Sequence, residues 1–209
     1  MKLLMRGYNS VFKTDYQPSL DYCAPIALCL TTKFDKPESV ALNKEVCLVL
    51  RRLGLNTMVV CFKPKLVSKV VRFTNVQMLN LQLALNWMMG RHNKSDSKWV
   101  VGLSLWAAFA THLIIRRPEV TNYVLVNAAL TQANYASFEL LSKLRLPGLA
   151  VFAENDAVTP ASTALQLIRS TKALSASMLE FVIIRHTNHL FNTKLNKVST
   201  AISEFYNKS

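Results

Sequence analysis

Short continuous apolar runs alternate along this chain with longer stretches in which apolar residues recur at helical spacing. Runs of the first kind predict strands buried on both faces, and stretches of the second predict helices with one face on a core. Lys2–Arg6 and Ser10–Tyr16, either side of Gly7-Tyr8-Asn9, read as two short strands in an antiparallel hairpin at a sheet edge. Gln17–Cys23 is a polar link into a buried strand at Pro25–Leu30, and Thr31–Pro37 is a loop. Ser39–Leu53 reads as a helix with Leu42, Val46, Val49, Leu50 and Leu53 on one face, stopped at Gly54. Asn56–Phe62 is the next strand, followed by a loop at Lys63–Arg72. Asn75–Met89 is helical, with Val76, Leu79, Leu83 and Trp87 on one face and Gly90 as its stop; Arg91–Lys98 is a polar connection. Trp99–Gly102 is a strand and Leu105–Ile115, extending to Arg117, a helix. Thr121–Val126 is a strand, Asn127–Leu146 loop with some helix, and Pro147–Ala153 a strand. Pro160–Leu174 is a helix carrying Ala161, Ala164, Leu165 and Ile168. Met178–Ile184 is a strand, Arg185–Asn188 a loop, and Leu190–Tyr206 a closing helix with Leu195, Val198, Ile202 and Phe205 inward.

Strands and helices alternating with short connections predict an α/β fold: a mostly parallel sheet, helices on both faces, and an N-terminal antiparallel hairpin. No repeat or linker divides residues 1–209, so one domain is expected. The stretch 127–146 is the only place for a cap, and a short one, which predicts an open site.

Composition narrows the class. With 209 residues and 51% hydrophobic content the chain can bury a sizeable core. MKLLMRGYNS lacks an apolar region long enough for a signal peptide. Trp99–Ile115 approaches the lower limit for a membrane span, but Gly102, Ser104, Thr111 and His112 interrupt it. The expectation is a cytoplasmic protein without a span. The four cysteines, Cys23, Cys29, Cys47 and Cys61, form no C-x-x-C pair and have no metal-ligand spacing with histidine; reduced, buried thiols are expected. The net charge of +13 invites a nucleic-acid or membrane-surface reading. However, the bases are scattered, with their densest stretch at Lys63–Arg72, and no nucleic-acid motif accompanies them, so specific nucleic-acid binding is not expected. Only five glycines are present, none in a G-x-G-x-x-G or P-loop pattern, which argues against a nucleotide site.

Candidate chemistry starts at Gly102-Leu103-Ser104. A serine between a buried strand and a helix is where a nucleophile elbow would sit, with free N–H groups of the helix start available to an oxyanion. The G-x-S-x-G pattern reads G-L-S-L-W here, with Trp106 in the last place. The competing local role for Ser104 is a helix N-cap. Sites of open α/β sheets form at strand C-termini. Just beyond them lie Ser104, then Asp156, then His186 and His189. The order Ser, Asp, His is that of the α/β-hydrolases. Histidine takes the serine proton near neutral pH, and the carboxylate fixes its tautomer and stabilises the imidazolium. Plainer roles compete: Asp156 as a helix-initiating residue before Pro160, His189 as a structural residue at a helix start, and His92 and His112 as surface or core histidines.

Four segments carry a family resemblance. The chain resembles small bacterial α/β-hydrolases of the dienelactone-hydrolase and acyl-peptidase-like esterase type over almost its whole length. LALNWMMGRHNKSDSKWVVGLS is similar to the segment entering the family's nucleophile, and LPGLAVFAENDAVTP to its acid-bearing strand and loop, which implies Asp156. HTNHLF is similar to the terminal histidine motif, which implies His189 rather than His186, and FKTDYQPSLDYCAPIALCL to the hairpin and first central strand. The resemblance implies a serine esterase or thioesterase acting on a small acyl substrate, with no metal or organic cofactor. Its oxyanion donors would be the N–H of Leu105 and one from Thr31, Thr32 or Lys33. The chain departs from the family at Trp106, where a small residue is usual, and in two glycine-poor loops, Thr31–Asp35 and Lys63–Lys65. These departures favour the alternative, a catalytically degenerate hydrolase fold that binds or scaffolds an acidic partner.

Overall fold

The structure, a computed structural model, describes residues 1–7, 11–32, 37–62, 66–67, 70–71, 75–129, 145–172 and 178–209. In chain order the described elements are β1 (Lys2–Arg6), β2 (Val11–Gln17), β3 (Ile26–Thr32), α1 (Pro37–Arg52), β4 (Asn56–Phe62), β5 (Leu66–Val67), β6 (Val70–Val71) and α2 (Asn75–Arg91). There follow β7 (Lys98–Leu103), α3 (Trp106–Arg116), β8 (Asn122–Val126), β9 (Gly148–Asn155), α4 (Ala161–Lys172), β10 (Leu179–Asn188) and α5 (Leu195–Tyr206). Eight strands form one sheet in the order β1-β2-β4-β3-β7-β8-β9-β10. The first two pairings, β1 with β2 and β2 with β4, are antiparallel; every later one is parallel. β5 and β6 form a separate antiparallel pair inside the stretch expected to be loop. The 127–146 cap region falls largely outside the described residues, as do Gly7–Asn9 beyond its glycine and most of the basic Lys63–Arg72 stretch.

Alternation along each strand divides the core. Leu28 and Leu30 of β3, Val100 of β7 and Leu125 of β8 face α2 and α3. Their neighbours Ala27, Cys29, Val101 and Val124 face α1 and α5. Successive strand side chains point to opposite faces, and both faces are covered, so β3, β7, β8 and β9 are apolar almost without interruption.

The helix α2 departs from expectation. Its buried stripe is Asn80, Leu81, Ala84, Leu85 and Met88, while Leu79 and Leu83 are each 39% exposed. Apolar residues lie on several sides of this helix, so periodicity does not select a face; the sheet takes the Leu81–Leu85–Met88 stripe. The helix also runs through Gly90 to Arg91, whose guanidinium lies over the rings of Tyr16 and Trp87 at 5.7 and 5.5 Å. On α4, Ala164 is buried but Leu165 is exposed. Of the cysteines, Cys29 and Cys47 are buried but Cys23 and Cys61 are exposed, and none of the four is in a disulfide. β10 continues through Arg185–Asn188, which was expected to be loop. The last helix begins only at Leu195, because a turn with Phe191 at φ 53° occupies the residues before it. Among the described residues, no helix is long and apolar enough to cross a membrane; Trp99–Ile115 is divided between β7 and α3.

Candidate active site

Ser104 lies between the end of β7 and the start of α3, with φ 54°. Left-handed backbone at a non-glycine residue persists only where the surroundings impose it. Here the Ser104 N–H donates to the Val126 carbonyl at 2.8 Å, and the Ser104 carbonyl accepts from Ala107 N–H at 3.1 Å and Ala129 N–H at 3.3 Å. Gly102 lets α3 close onto β7: a Cβ there would lie 2.6 Å from Ala110 Cβ and 2.7 Å from Ala107 Cα. Leu105, not Ser104, is the N-cap, and no side chain caps the helix. The serine hydroxyl is therefore not used as a cap; Oγ lies 2.7 Å from His189 Nε2.

Trp106 does not shut this spot. Its side chain is 1% exposed and stacks on Phe109 at 4.5 Å, inside the core that packs α2 and α3 on the sheet. The crowding between strand and helix is met by Gly102, Ala107 and Ala110, and Ser104 stays half-buried.

Parallel register explains why the acid and the histidine meet. Asn155 of β9 pairs with Asn188 of β10, and the next residue of each chain is Asp156 and His189. The Asp156 carboxylate, 1% exposed, has its Oδ2 2.7 Å from His189 Nδ1. Its Oδ1 accepts from Val158 N–H at 2.7 Å and Thr159 N–H at 3.1 Å, which fixes the rotamer. Asp156 thus stabilises the turn that leads toward α4 and also faces the imidazole. With the carboxylate accepting from Nδ1–H, the network assigns the neutral tautomer whose Nε2 accepts the Ser104 hydroxyl proton.

His186 is not brought to this place. It has φ 54° and an exposed side chain, and its N–H donates to Glu154 Oε2 at 2.8 Å. His92 Nε2 shares a hydrogen bond with the Tyr16 hydroxyl, and His112 lies beside Arg116 on α3. For the oxyanion, the Leu105 N–H donates to none of the described residues. Leu30 pairs with Gly102, so the parallel register carried two residues on sets Thr32 level with Ser104. Thr31 and Thr32 complete the ladder with β4, and Lys33 lies outside the described residues.

Three residues that hold this arrangement were missed in the sequence: Asn127, Thr159 and Glu154. Asn127 is fully buried just beyond β8, its amide nitrogen donates to the His189 carbonyl, and its Oδ1 accepts from Ala153 N–H at 2.8 Å. Thr159 Oγ1 donates to the Ala128 carbonyl at 2.8 Å. The signal for Asn127 was available, because it too is a polar residue immediately after an apolar strand.

The whole chain superposes on 95% of a solved Agrobacterium tumefaciens protein of unknown function, assigned as an α/β hydrolase, with TM-score 0.83 and 22% identity. The fold is that of the α/β-hydrolases. An α/β serine hydrolase homologue from Coxiella burnetii shares it at TM-score 0.77 and 18% identity, over 98% of this chain and 96% of that one. No protein-family model matches the sequence. The uncharacterized protein RP471 of Rickettsia prowazekii is 25% identical over 123 residues, which is 58% of this chain and 52% of that protein. The match spans about half the length of that relative. Within the α/β-hydrolase fold, the described residues put Ser104, His189 and Asp156 at the C-terminal edge of the parallel strands.

Proposed function

We propose that the protein is a serine hydrolase acting on an ester or thioester of a small acyl group. One observation carries this reading: Ser104 Oγ, the two ring nitrogens of His189 and the Asp156 carboxylate form a continuous hydrogen-bonded line, with both links at 2.7 Å. Ser104 Oγ attacks the acyl carbonyl carbon while His189 Nε2 takes its proton, and Asp156 stabilises the imidazolium. The oxyanion is held by the Leu105 N–H and a second N–H from the Thr31–Lys33 segment; losing one such donor costs about 10²–10³ in rate. His189 then protonates the departing alcohol or thiol. Water, deprotonated by the same nitrogen, attacks the acyl-enzyme carbonyl, and the proton returns to Ser104 as the acid leaves.

The scaffolding alternative rests on Trp106 and on the glycine-poor loops Thr31–Asp35 and Lys63–Lys65; the indole's place in the core removes the first of these grounds. A fluorophosphonate probe tests the proposal. The expected result is stoichiometric labelling that Ser104→Ala and His189→Ala abolish; absence of labelling in folded protein, across small and large probes, would end it.

A further inference from the structure

The segment 126–129, just beyond β8, touches all three arms of the site. Val126 and Ala129 bracket Ser104 through the backbone, with Ser104 N–H on the Val126 carbonyl and Ala129 N–H on the Ser104 carbonyl. The Ala128 carbonyl accepts the Thr159 hydroxyl, and the Thr159 N–H is on the Asp156 carboxylate. The histidine arm is reached by a side chain, the amide of Asn127, which donates to the His189 carbonyl.

Resting on the hydrolase reading above, we propose that Asn127 is a positioning residue that sets the height of His189 over Ser104. Asn127 N–H donates to the Val151 carbonyl at 2.7 Å and so continues the β8–β9 ladder. At φ 45° the backbone then turns away. Asparagine tolerates that conformation better than other residues with a side chain. The turn leaves Ala153 N–H without its ladder carbonyl, and Asn127 Oδ1 takes that place at 2.8 Å. The amide orientation follows from its partners: a donor faces the His189 carbonyl and an acceptor faces Ala153 N–H, and the flipped amide satisfies neither. Asn127 itself is fully buried, so an amide group there that loses its partner carries the cost of an unsatisfied buried polar group. His189 follows the irregular end of β10, where pairing skips from Ile184 to Asn188. The strand ladder therefore does not hold the histidine backbone by itself, and the amide braces it from β8 and β9.

Two substitutions separate the amide from the backbone. Asn127→Gly keeps the left-handed turn without strain and deletes both bonds. Asn127→Asp keeps the shape, but ionised it aims an acceptor at the His189 carbonyl; only its protonated form restores one donor and one acceptor. The readouts are the rate of fluorophosphonate labelling of the purified full chain between about pH 5.5 and 8.5, and the low-field proton resonance of His189 Nδ1–H. Asn127→Gly is expected to label about 10- to 100-fold more slowly than the wild type, the scale of a misplaced catalytic group, at a ratio flat with pH, and to lose or broaden the low-field line. For Asn127→Asp the ratio to wild type is expected to climb as pH falls. Wild-type labelling rates in Asn127→Gly, or a pH-independent ratio in Asn127→Asp, would overturn the proposal; should Asn127→Gly not fold, Asn127→Asp decides alone. A wild type that never labels removes the hydrolase reading, and the low-field line then decides on the brace: its loss in Asn127→Gly supports it and its persistence overturns it.

Discussion

Gly102→Ala tests directly how the turn at Ser104 is built. A methyl group there would lie 2.6 Å from Ala110 Cβ, 2.7 Å from Ala107 Cα and 3.0 Å from Trp106 O. Carbon atoms rest about 3.5–4.0 Å apart, so α3 and β7 must separate by roughly 1 Å. The opposing atoms are backbone and a Cβ, and no flexible side-chain end can give way. Overpacking of this kind costs about 1–3 kcal/mol. In a domain of this size each kcal/mol lowers Tm by about 2–4 °C, so the expected loss is roughly 2–12 °C. Gly90→Ala is the matched control. Its added methyl meets nothing within 4 Å, and alanine in a helix gains about 0.5–1 kcal/mol over glycine, so its Tm should rise. Thermal melts of the three proteins provide the comparison. A Gly102→Ala protein melting with the wild type would refute the contact reasoning. The helix that moves begins beside the Leu105 N–H, so labelling of Ser104, measured well below the melt, should also slow. Lower stability with an unchanged labelling rate would show that packing at Gly102 does not govern the turn.

Three further outcomes are expected. Asp156→Asn keeps an acceptor for Val158 and Thr159 N–H but turns an amide donor toward His189 Nδ1, forcing the tautomer that cannot accept the serine proton; kcat for an activated ester should fall by about 10⁴, and a loss under tenfold would exclude Asp156 from the proposed role. Trp106→Gly should cost about 3–5 kcal/mol by emptying a buried site and leave labelling no faster per folded molecule, whereas faster labelling would mean that the indole obstructs Ser104. His92 is buried, and burial, with Arg91 beside it, holds its pKa below the ordinary imidazole value. The unfolded chain therefore takes up this proton first, and the stability His92 contributes is full above about pH 6.5 and lost as pH falls. Replacing it with Gln should make Tm decline less steeply between about pH 7.5 and 5.5, and an unchanged slope would remove His92 from the acid response.

Much of the architecture was legible because the central strands are covered on both faces. A strand such as β8, buried at every position from Asn122 to Val126, has no solvent face to dilute its apolar run. The edge hairpin was legible for the opposite reason, since β2 alternates exposed and buried residues from Val11 to Tyr16. What periodicity could not supply was the choice of face on α2, where several apolar stripes compete and only the sheet's shape decides. Apolar neighbours in sequence do not give Cys23 and Cys61 depth, because the one lies in a link and the other near a strand end, and both are exposed.

The candidate site was legible for a topological reason, and its limit is topological too. In a parallel sheet every strand ends at the same edge, so polar residues following apolar runs are gathered there whatever their distance in sequence. That logic yields Ser104, Asp156 and a histidine, but it carries no information about height along the strand. Height is decided in β10. Ile184 pairs with Ala153 and Asn188 with Asn155, so β10 spends two residues more than β9 over this stretch. A regular ladder would set His186 against Asn155 and Thr187 against Asp156, with no imidazole at the acid. The irregularity is built from His186 at φ 54° and from the Glu154 carboxylate that accepts its N–H. It carries His189 to the level of Asp156 and leaves His186 in solvent. Of the two histidines in this motif, the one that faces Ser104 is thus selected by an interruption in strand pairing, a feature that has no hydrophobic signature for the sequence to display.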